Sequence, residues 1–186
     1  MIHALLRAGQ SVLTPREVAA RLGYSAMTMT RAFDEIEAAN LGEVSTRGKA
    51  RCLRFVAGPQ DTWSKAQPFL RSPVNKRICI QRIGAASRGL RAGLSALAEY
   101  TMLAPPACAT QALSREDWQA LRQQHQVIEV PDQDPDALEI EVWSYSPAQF
   151  SDGDLVDPLS LYLSLKDSDD ERVAASLEEL MGKVKW

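Results

Sequence analysis

The front half of the chain opens with a short run of apolar residues at helical spacing, in the segment PREVAARL. Thr14 and Glu17 can each accept a hydrogen bond from the other's backbone amide at its start, which is the capping-box arrangement. Gly23 ends the predicted helix, because glycine adopts a positive φ without steric cost. The pattern predicts one short amphipathic helix with defined ends.

A second helix is predicted directly afterwards. Ser25 can cap it, and the apolar residues between Ala26 and Ala39 recur at the spacing of one buried face. The predicted buried positions are Met29, Ala32, Phe33 and Ile36.

Residue spacing favours a helix-turn-helix over an ordinary helical pair. Such a unit needs a small residue midway along the first helix, a glycine-like turn and an apolar residue inside the second helix. Ala19, Gly23 and Met29 occupy these places, as the fifth, ninth and fifteenth residues counted from Pro15.

Two β-rich runs, EVST and RCLRFV, flank residues 47–50 and predict a hairpin after the second helix. A hairpin in this place is the wing of a winged helix. Its tip carries Arg47, Lys49 and Arg51, where cations can meet phosphates or the minor groove. The expected partner is therefore double-stranded DNA; the competing interpretation is a solvated turn with ordinary charges.

In such a motif the second helix enters the major groove by its N-terminal half. The outward residues there are Ser25, Ala26, Met27, Thr28, Thr30 and Arg31. Arg31 is the best candidate for a bidentate contact to guanine, and the two threonines for bonds to phosphates or bases. Asp34 and Glu35 are expected to face away from the DNA backbone or repel it.

Charge is distributed unevenly along the chain. Residues 1–93 carry 15 Lys and Arg against 6 Asp and Glu, a net +9, whereas residues 94–186 carry 6 against 18, a net −12. This asymmetry suggests an anion-binding front half. Within it, Arg71, Lys76, Arg77 and Arg82 are candidates to extend the phosphate-binding face.

The remainder of the chain predicts an α+β domain. The predicted strands are ICIQRI, ACATQAL and a hairpin of VIEV with LEIEVWSY; the helices are LRAGLSALAEYTML, SREDWQALRQQ, DPLSLYLSL and DDERVAASLEELMGKV. In the first of these helices, Leu94, Leu97, Ala98 and Met102 are the expected inward positions. The expected organisation is a winged helix-turn-helix at 1–58, a linker at 59–72 and an α+β domain at 73–186.

Catalytic chemistry has little support in the sequence. Neither a phosphate-binding glycine loop nor a dinucleotide fingerprint occurs. Three widely spaced cysteines and two histidines do not predict a metal site, and no cofactor is expected. Reduced thiols and the lack of a transmembrane run favour a cytoplasmic protein. The missing catalytic motifs favour a protein that is not an enzyme.

The runs RLGYSAMTMTRAFDEIE, PFLRSPVNKRI, AGLSALAEYTMLAPP and TQALS resemble the AbiEi antitoxins of type IV toxin–antitoxin systems. The resemblance extends from about Leu13 to Trp186, and AGLSALAEYTML is its most specific part, because the helix-turn-helix is shared with MarR-like regulators. It implies a winged helix that binds the promoter of its own operon. It also implies a C-terminal domain that counteracts a nucleotidyltransferase-like toxin. Only MIHALLRAGQSV precedes the capping box, barely enough for the first helix of a winged helix.

Other interpretations remain open at this stage. The chain is either an antitoxin-like autorepressor, an orphan MarR-like regulator, or a protein-interaction module whose winged helix contacts protein. A symmetric homodimer on a palindromic site would be conventional for the DNA-binding alternatives.

Overall fold

A computed structural model of the chain describes residues 12–48, 50–82, 89–132, 134, 136–151 and 153–186. The protein is mixed α+β and divides into two units, Met1–Leu70 with Trp186, and Arg71–Lys185. The first unit contains α1 (Pro15–Leu22), α2 (Ala26–Ala38), β1 (Gly42–Arg47), β2 (Ala50–Phe55), α3 (Pro59–Ala66) and a 3-10 turn (Gln67–Phe69). The second contains β3 (Val74–Gln81), β4 (Leu90–Arg91), α4 (Gly93–Tyr100), β5 (Ala109–Ser114), α5 (Arg115–Gln124), β6 (Ala137–Trp143), a 3-10 turn (Pro147–Gln149), α6 (Pro158–Leu165) and α7 (Glu171–Gly182).

Local sequence signals define both ends of α1. The Glu17 amide donates to Thr14 Oγ1 at 3.3 Å, and the Thr14 amide donates to Glu17 Oε2 at 3.3 Å, which confirms the capping box. Gly23 terminates the helix at φ 71°. The Tyr24 amide donates to the Ala19 carbonyl at 3.1 Å, so the chain leaves α1 in a defined direction.

The core of the first unit joins both helices to the hairpin. Its buried members are Leu13, Val18, Ala19, Met29, Phe33 and Leu53. Ala32 and Ile36 pack against this cluster and are partly buried, so the predicted apolar face of α2 is confirmed. Leu13 and Leu53 also exchange two backbone hydrogen bonds, of 2.9 and 2.8 Å, which attach the chain before α1 to the hairpin.

The tip of the hairpin contains a turn at Gly48. Strands β1 and β2 are antiparallel, and Arg47 pairs with Ala50 at the tip. Gly48 has φ 64° in that turn, a conformation that glycine adopts without strain and that suits the twist of short hairpins. The hairpin predicted after the second helix is therefore confirmed.

The segment predicted as a linker, 59–72, is instead partly helical. Pro59 starts α3, and Trp63 and Ala66 in it are 2% and 0% exposed. Pro at the first helical position loses no intrahelical bond, and buried apolar side chains then stabilise the short helix. The division between the units falls at Leu70 and Arg71.

The second unit is built on a four-stranded sheet in the order β3-β6-β5-β4. Strand β6 is parallel to β5 and antiparallel to β3, while β4 is antiparallel to β5. Helix α5 connects the two parallel strands and contributes Trp118 and Leu121 to the core on one sheet face. Helices α4, α6 and α7 contribute to a second core that includes Trp143.

Three sequence predictions about this unit are wrong. Leu90 and Arg91 form strand β4, so the helix containing AGLSALAEY starts at Gly93. Met102 lies beyond the end of α4 and is 91% exposed rather than inward. The VIEV segment does not form a hairpin with β6; its residues 128–130 hydrogen-bond to Cys79 and Gln81 of β3.

Candidate nucleic-acid interface

The N-terminal turn of α2 is fixed by its cap. The Thr28 amide donates to Ser25 Oγ at 3.1 Å, and the two hydroxyl oxygens lie 2.8 Å apart. This arrangement satisfies one of the free amides at the helix start and holds both hydroxyls on the exposed end of the helix. The hydroxyls are thus available at the surface and already share one hydrogen bond.

The predicted recognition residues are exposed, with one exception. Ser25, Ala26, Met27, Thr28 and Arg31 are exposed, and Met27 is 68% exposed. Thr30 is half-buried, and its Oγ1 donates to the Ala26 carbonyl at 2.9 Å. Because Met29 and Phe33 anchor the opposite face in the core, α2 presents its outward residues on a fixed backbone.

Arg51 of the hairpin was predicted as a cation available to DNA, but its side chain is already paired with an acid of α2. Its guanidinium forms a short ion pair with Asp34 of α2, and the two side chains are 37% and 52% exposed. In the hairpin register, Arg51 lies on the same face as Leu53, two residues further along β2, and that face packs towards α2. Asp34 therefore links α2 to the hairpin, and its expected repulsion of a DNA backbone stays a prediction.

A second contact connects the end of α2 to β1. Glu37 Oε1 accepts a hydrogen bond from the Val44 amide at 2.9 Å. The Asp34–Arg51 and Glu37–Val44 contacts join the helix to the hairpin at separate points along β1 and β2. They reduce the freedom of the hairpin to move relative to α2.

The first unit exposes cations besides the predicted DNA contacts, namely Arg16, Arg21 and Lys65. Arg31 and Arg47 are exposed and, among the residues that the structure describes, neither has an ion-pair partner. Lys49, the third predicted hairpin cation, lies outside the described residues. Arg54 is paired across the hairpin with Glu43 at 3.0 Å.

Most of the positive charge of the front half belongs to the second unit. Residues 1–70 carry 9 Lys and Arg against 6 Asp and Glu, a net +3, so most of the +9 of the front half belongs to the second unit. There Arg77 pairs with Glu141, and Arg91 with Glu99 and Asp154. The four cations predicted to extend the phosphate-binding face all belong to the second unit, and their role in DNA binding stays a prediction: Arg71, Lys76, Arg77 and Arg82.

Tyr24 is a surface residue of the same region that the sequence analysis missed. It lies between the terminating glycine of α1 and the capping serine of α2, and it is 46% exposed. The sequence signal that could have indicated Tyr24 is an aromatic residue inside a tight turn between two helices. Core packing does not require an aromatic side chain at such a position, so a surface contact is the simpler explanation. Tyr24 and Met27 supply apolar contact area beside the hydroxyls of α2.

Comparisons with known proteins identify no relative of this chain. The chain matches no family model, no curated protein and no solved structure. Within the described part of the chain, His, Cys, Asp and Glu side chains form no group of three that could hold a metal ion. No helix among these residues has both the length and the apolar character that a membrane span requires.

Proposed function

We propose that the chain is a sequence-specific DNA-binding transcriptional regulator, with α2 as the recognition helix of a winged helix-turn-helix and the β1–β2 hairpin as its wing. One observation supports this most strongly. The N-terminal half of α2 exposes hydroxyl, apolar and guanidinium groups on one face, while its opposite face is buried in the core.

The dimensions of α2 suit this role. Its 13 residues make it roughly 20 Å long. The major groove of B-DNA is about 12 Å wide and admits a helix end-on or along the groove. Arg31 supplies the bidentate donor pair for guanine, and Met27 supplies apolar contact for a thymine methyl.

The hairpin supplies the positioning contacts in this proposal. Arg47 at its tip meets a phosphate or enters the minor groove, and such contacts add affinity without reading sequence directly. The Asp34 and Glu37 contacts hold the hairpin against α2, so that both elements engage one duplex together.

We further propose that the regulated site is the promoter of the chain's own operon, as the AbiEi-like motifs imply. On that proposal the second unit serves the control of a nucleotidyltransferase-like toxin, and the protein acts in the cytoplasm. A gene for such a toxin immediately downstream would support this refinement, and DNA binding without such a neighbour would favour an orphan regulator.

Duplex binding tests the proposal directly. The full chain is titrated into a labelled duplex from upstream of its own gene, with a random duplex for comparison. We expect Arg31→Ala to weaken binding to the preferred sequence by roughly 5- to 150-fold, the equivalent of a bidentate base contact, and to affect the random duplex far less.

Arg115→Ala is the matched control, because Arg115 is also an exposed arginine and lies on α5 of the second unit. It should leave both affinities unchanged. Absence of duplex binding at low salt would refute the regulator proposal. In that case the exposed Tyr24 and Met27 would favour the alternative of a protein-interaction module, since apolar side chains at a surface favour protein contacts.

A further inference from the structure

The second unit contains a cleft that the DNA-binding proposal does not use. Its volume is about 770 Å³, within the range of small-molecule sites of roughly 300–1,000 Å³. The cleft lies on the sheet face that carries Arg77, Glu139 and Glu141, beside the start of α4 and the segment from α6 to α7. All of its lining residues belong to the second unit.

Acidic residues outnumber basic ones in the lining of this cleft. Four acids stand against two cations, namely Glu139, Glu141, Asp167 and Asp170 against Lys76 and Arg77. Lys76 pairs with Val142 in the sheet register, which places it with Ile78 on the opposite face of the sheet. The charge inside the cleft is therefore negative.

Arg77 is already engaged by the more deeply buried of the two sheet carboxylates. Its Nε donates to Glu141 Oε1 at 3.1 Å, and Trp143 Nε1 donates to Glu141 Oε2 at 3.0 Å. Glu141 is fully buried, and burial raises its pKa while these two hydrogen bonds oppose the rise. Arg77 Nη2 also donates to the Ser164 carbonyl at 3.0 Å, so the guanidinium is held at Glu141.

Glu139 has no such counter-charge. Its neighbours across the sheet are Cys79 of β3 and Thr110 of β5, and neither is a cation. Glu139 Oε2 accepts from Thr110 Oγ1 at 2.9 Å, whereas Oε1 has no hydrogen-bond or ion-pair partner among the described residues. Oε1 is also not enclosed by protein, so a molecule in the cleft can reach it. A half-buried carboxylate in this state favours a cation beside it.

The orientation of Glu139 is fixed through Thr110. The Thr110 amide donates to Ser95 Oγ of α4 at 2.9 Å, and the Thr110 side chain is buried. Gly93 lies directly against that side chain, since an added Cβ would be 2.9 Å from Thr110 Cγ2. These contacts hold the hydroxyl that binds Glu139 Oε2, so Oε1 is directed before a ligand arrives, which lowers the entropic cost of binding.

We propose that this cleft binds a small organic cation, in which an ammonium or guanidinium group is attached to an apolar body. The cationic group contacts Oε1 of Glu139. The apolar body lies against the half-buried side chains of Val74, Leu94 and Leu165, which line the cleft and pack on the core. Apolar burial adds affinity, and the carboxylate fixes the orientation of the ligand.

Other ligand classes fit these residues less well. An anion would lie beside Glu139 and the exposed Asp167, while the charge of Arg77 is already compensated by its partner. A neutral apolar molecule would exclude water from Glu139 without replacing it. A hard metal ion needs several oxygen ligands, and His, Cys, Asp and Glu form no group of three that could hold one in the described part of the chain.

Titration of the full chain with phenethylamine, followed by ligand-observed NMR at neutral pH and low salt, tests the proposal. This probe carries one ammonium group on an apolar body. We expect saturable binding, with phenethyl alcohol, which has the same body and no charge, binding about tenfold more weakly or less. The anion phenylpropionate should not bind, because it would meet Glu139 with a like charge.

Glu139→Gln is the corresponding variant of the protein. It removes the negative charge and keeps an oxygen that can accept from Thr110 Oγ1. Phenethylamine should bind to it about tenfold more weakly or less, and phenethyl alcohol should bind as to the wild type. Glu129→Gln is the matched control, since Glu129 is an exposed acid outside the cleft, and it should bind the amine normally.

Circular dichroism of each variant distinguishes a lost subsite from a lost fold. The comparison of the three probes uses the wild-type chain alone, so it tests the proposal even if Glu139→Gln does not fold. Equal affinity for the amine and the alcohol, or no saturable binding at millimolar amine, would overturn the proposal. A folded Glu139→Gln variant that binds the amine as the wild type does would also overturn it. None of these results depends on DNA binding.

Discussion

Replacing Asp34 with asparagine is expected to strengthen DNA binding. In the folded chain Asp34 holds the guanidinium of Arg51 at the boundary between α2 and the hairpin. Loss of the carboxylate frees Arg51 for a phosphate and removes a negative charge from the proposed recognition helix. Both effects favour association with a polyanion.

The magnitude follows from the exposure of the pair and from counterion release. One phosphate contact changes the logarithm of the association constant by about 0.9 for each tenfold change in salt concentration. Between ~1 M and ~0.15 M salt, this slope corresponds to a gain in affinity of about fivefold. The paired side chains are 37% and 52% exposed, so solvent screens their attraction. Exposed pairs contribute about 0–1 kcal/mol, and we therefore expect nearly unchanged stability alongside the gain in affinity.

Fluorescence anisotropy with a random duplex over a series of salt concentrations measures this effect. The plot of log K against log salt should become steeper by about one in Asp34→Asn. Glu35→Gln is the matched control, because it removes the same charge from the same helix and frees no cation. The difference between the two variants isolates the contribution of Arg51.

Arg51 itself provides the decisive comparison. Arg51→Ala should change affinity little in the wild-type background and should cancel the gain in the Asp34→Asn background, since the two residues are coupled. A loss of about one unit of salt slope in the Arg51→Ala single variant would refute the reasoning. Arg51 would then contact phosphate while still paired with Asp34.

Further predictions concern the two units separately. Phe33→Ala removes a side chain that is 2% exposed and should lower the free energy of unfolding of the first unit by about 3–5 kcal/mol. Hydrogen-exchange protection should fall in residues 12–70 but not in the sheet of the second unit. Gly93→Ala should lower the urea midpoint by the equivalent of about 1–3 kcal/mol, because Gly93 has φ 50° and an added Cβ would lie 2.9 Å from Thr110 Cγ2; an unchanged midpoint would contradict this. Burial raises the pKa of Asp157 above its ordinary value of 3.8, so its contribution to stability is present below that value and is lost as pH rises through the folded-state pKa. Relative to the wild type, the free energy of unfolding of Asp157→Asn should therefore increase as the pH rises above about 4. A difference between the two proteins that does not change with pH would count against the buried carboxylate as the cause.

Features encoded within a few residues could be predicted from the sequence. The capping box of Thr14 and Glu17, the terminating glycine at 23 and the cap of Ser25 each depend on groups that lie within one helical turn of each other. The buried face of α2 also follows from residue spacing alone. For this reason the helix pair and the hairpin, which carry the candidate interface, were predicted at nearly their observed positions.

Long-range pairing decided the features that were mispredicted. The helix predicted to contain LRAGLSALAEY begins only at Gly93, because Leu90 and Arg91 pair with Ala112 and Gln111 of β5. Residues 128–130 resembled a hairpin partner of β6, yet they hydrogen-bond to β3. Residue composition does not specify which of several compatible strands will meet.

By itself, the sequence determined where the short helices of the first unit begin and end and which of their faces are apolar. The tertiary structure alone decided that Arg51 pairs with Asp34, that Glu37 accepts a hydrogen bond from the backbone of β1, and that Arg77 pairs with the buried Glu141. The physical reason is the range of the interactions. Caps and helical faces depend on neighbours within a turn, whereas ion pairs and clefts require distant segments to be brought together by folding, at an entropic cost that the whole core must offset.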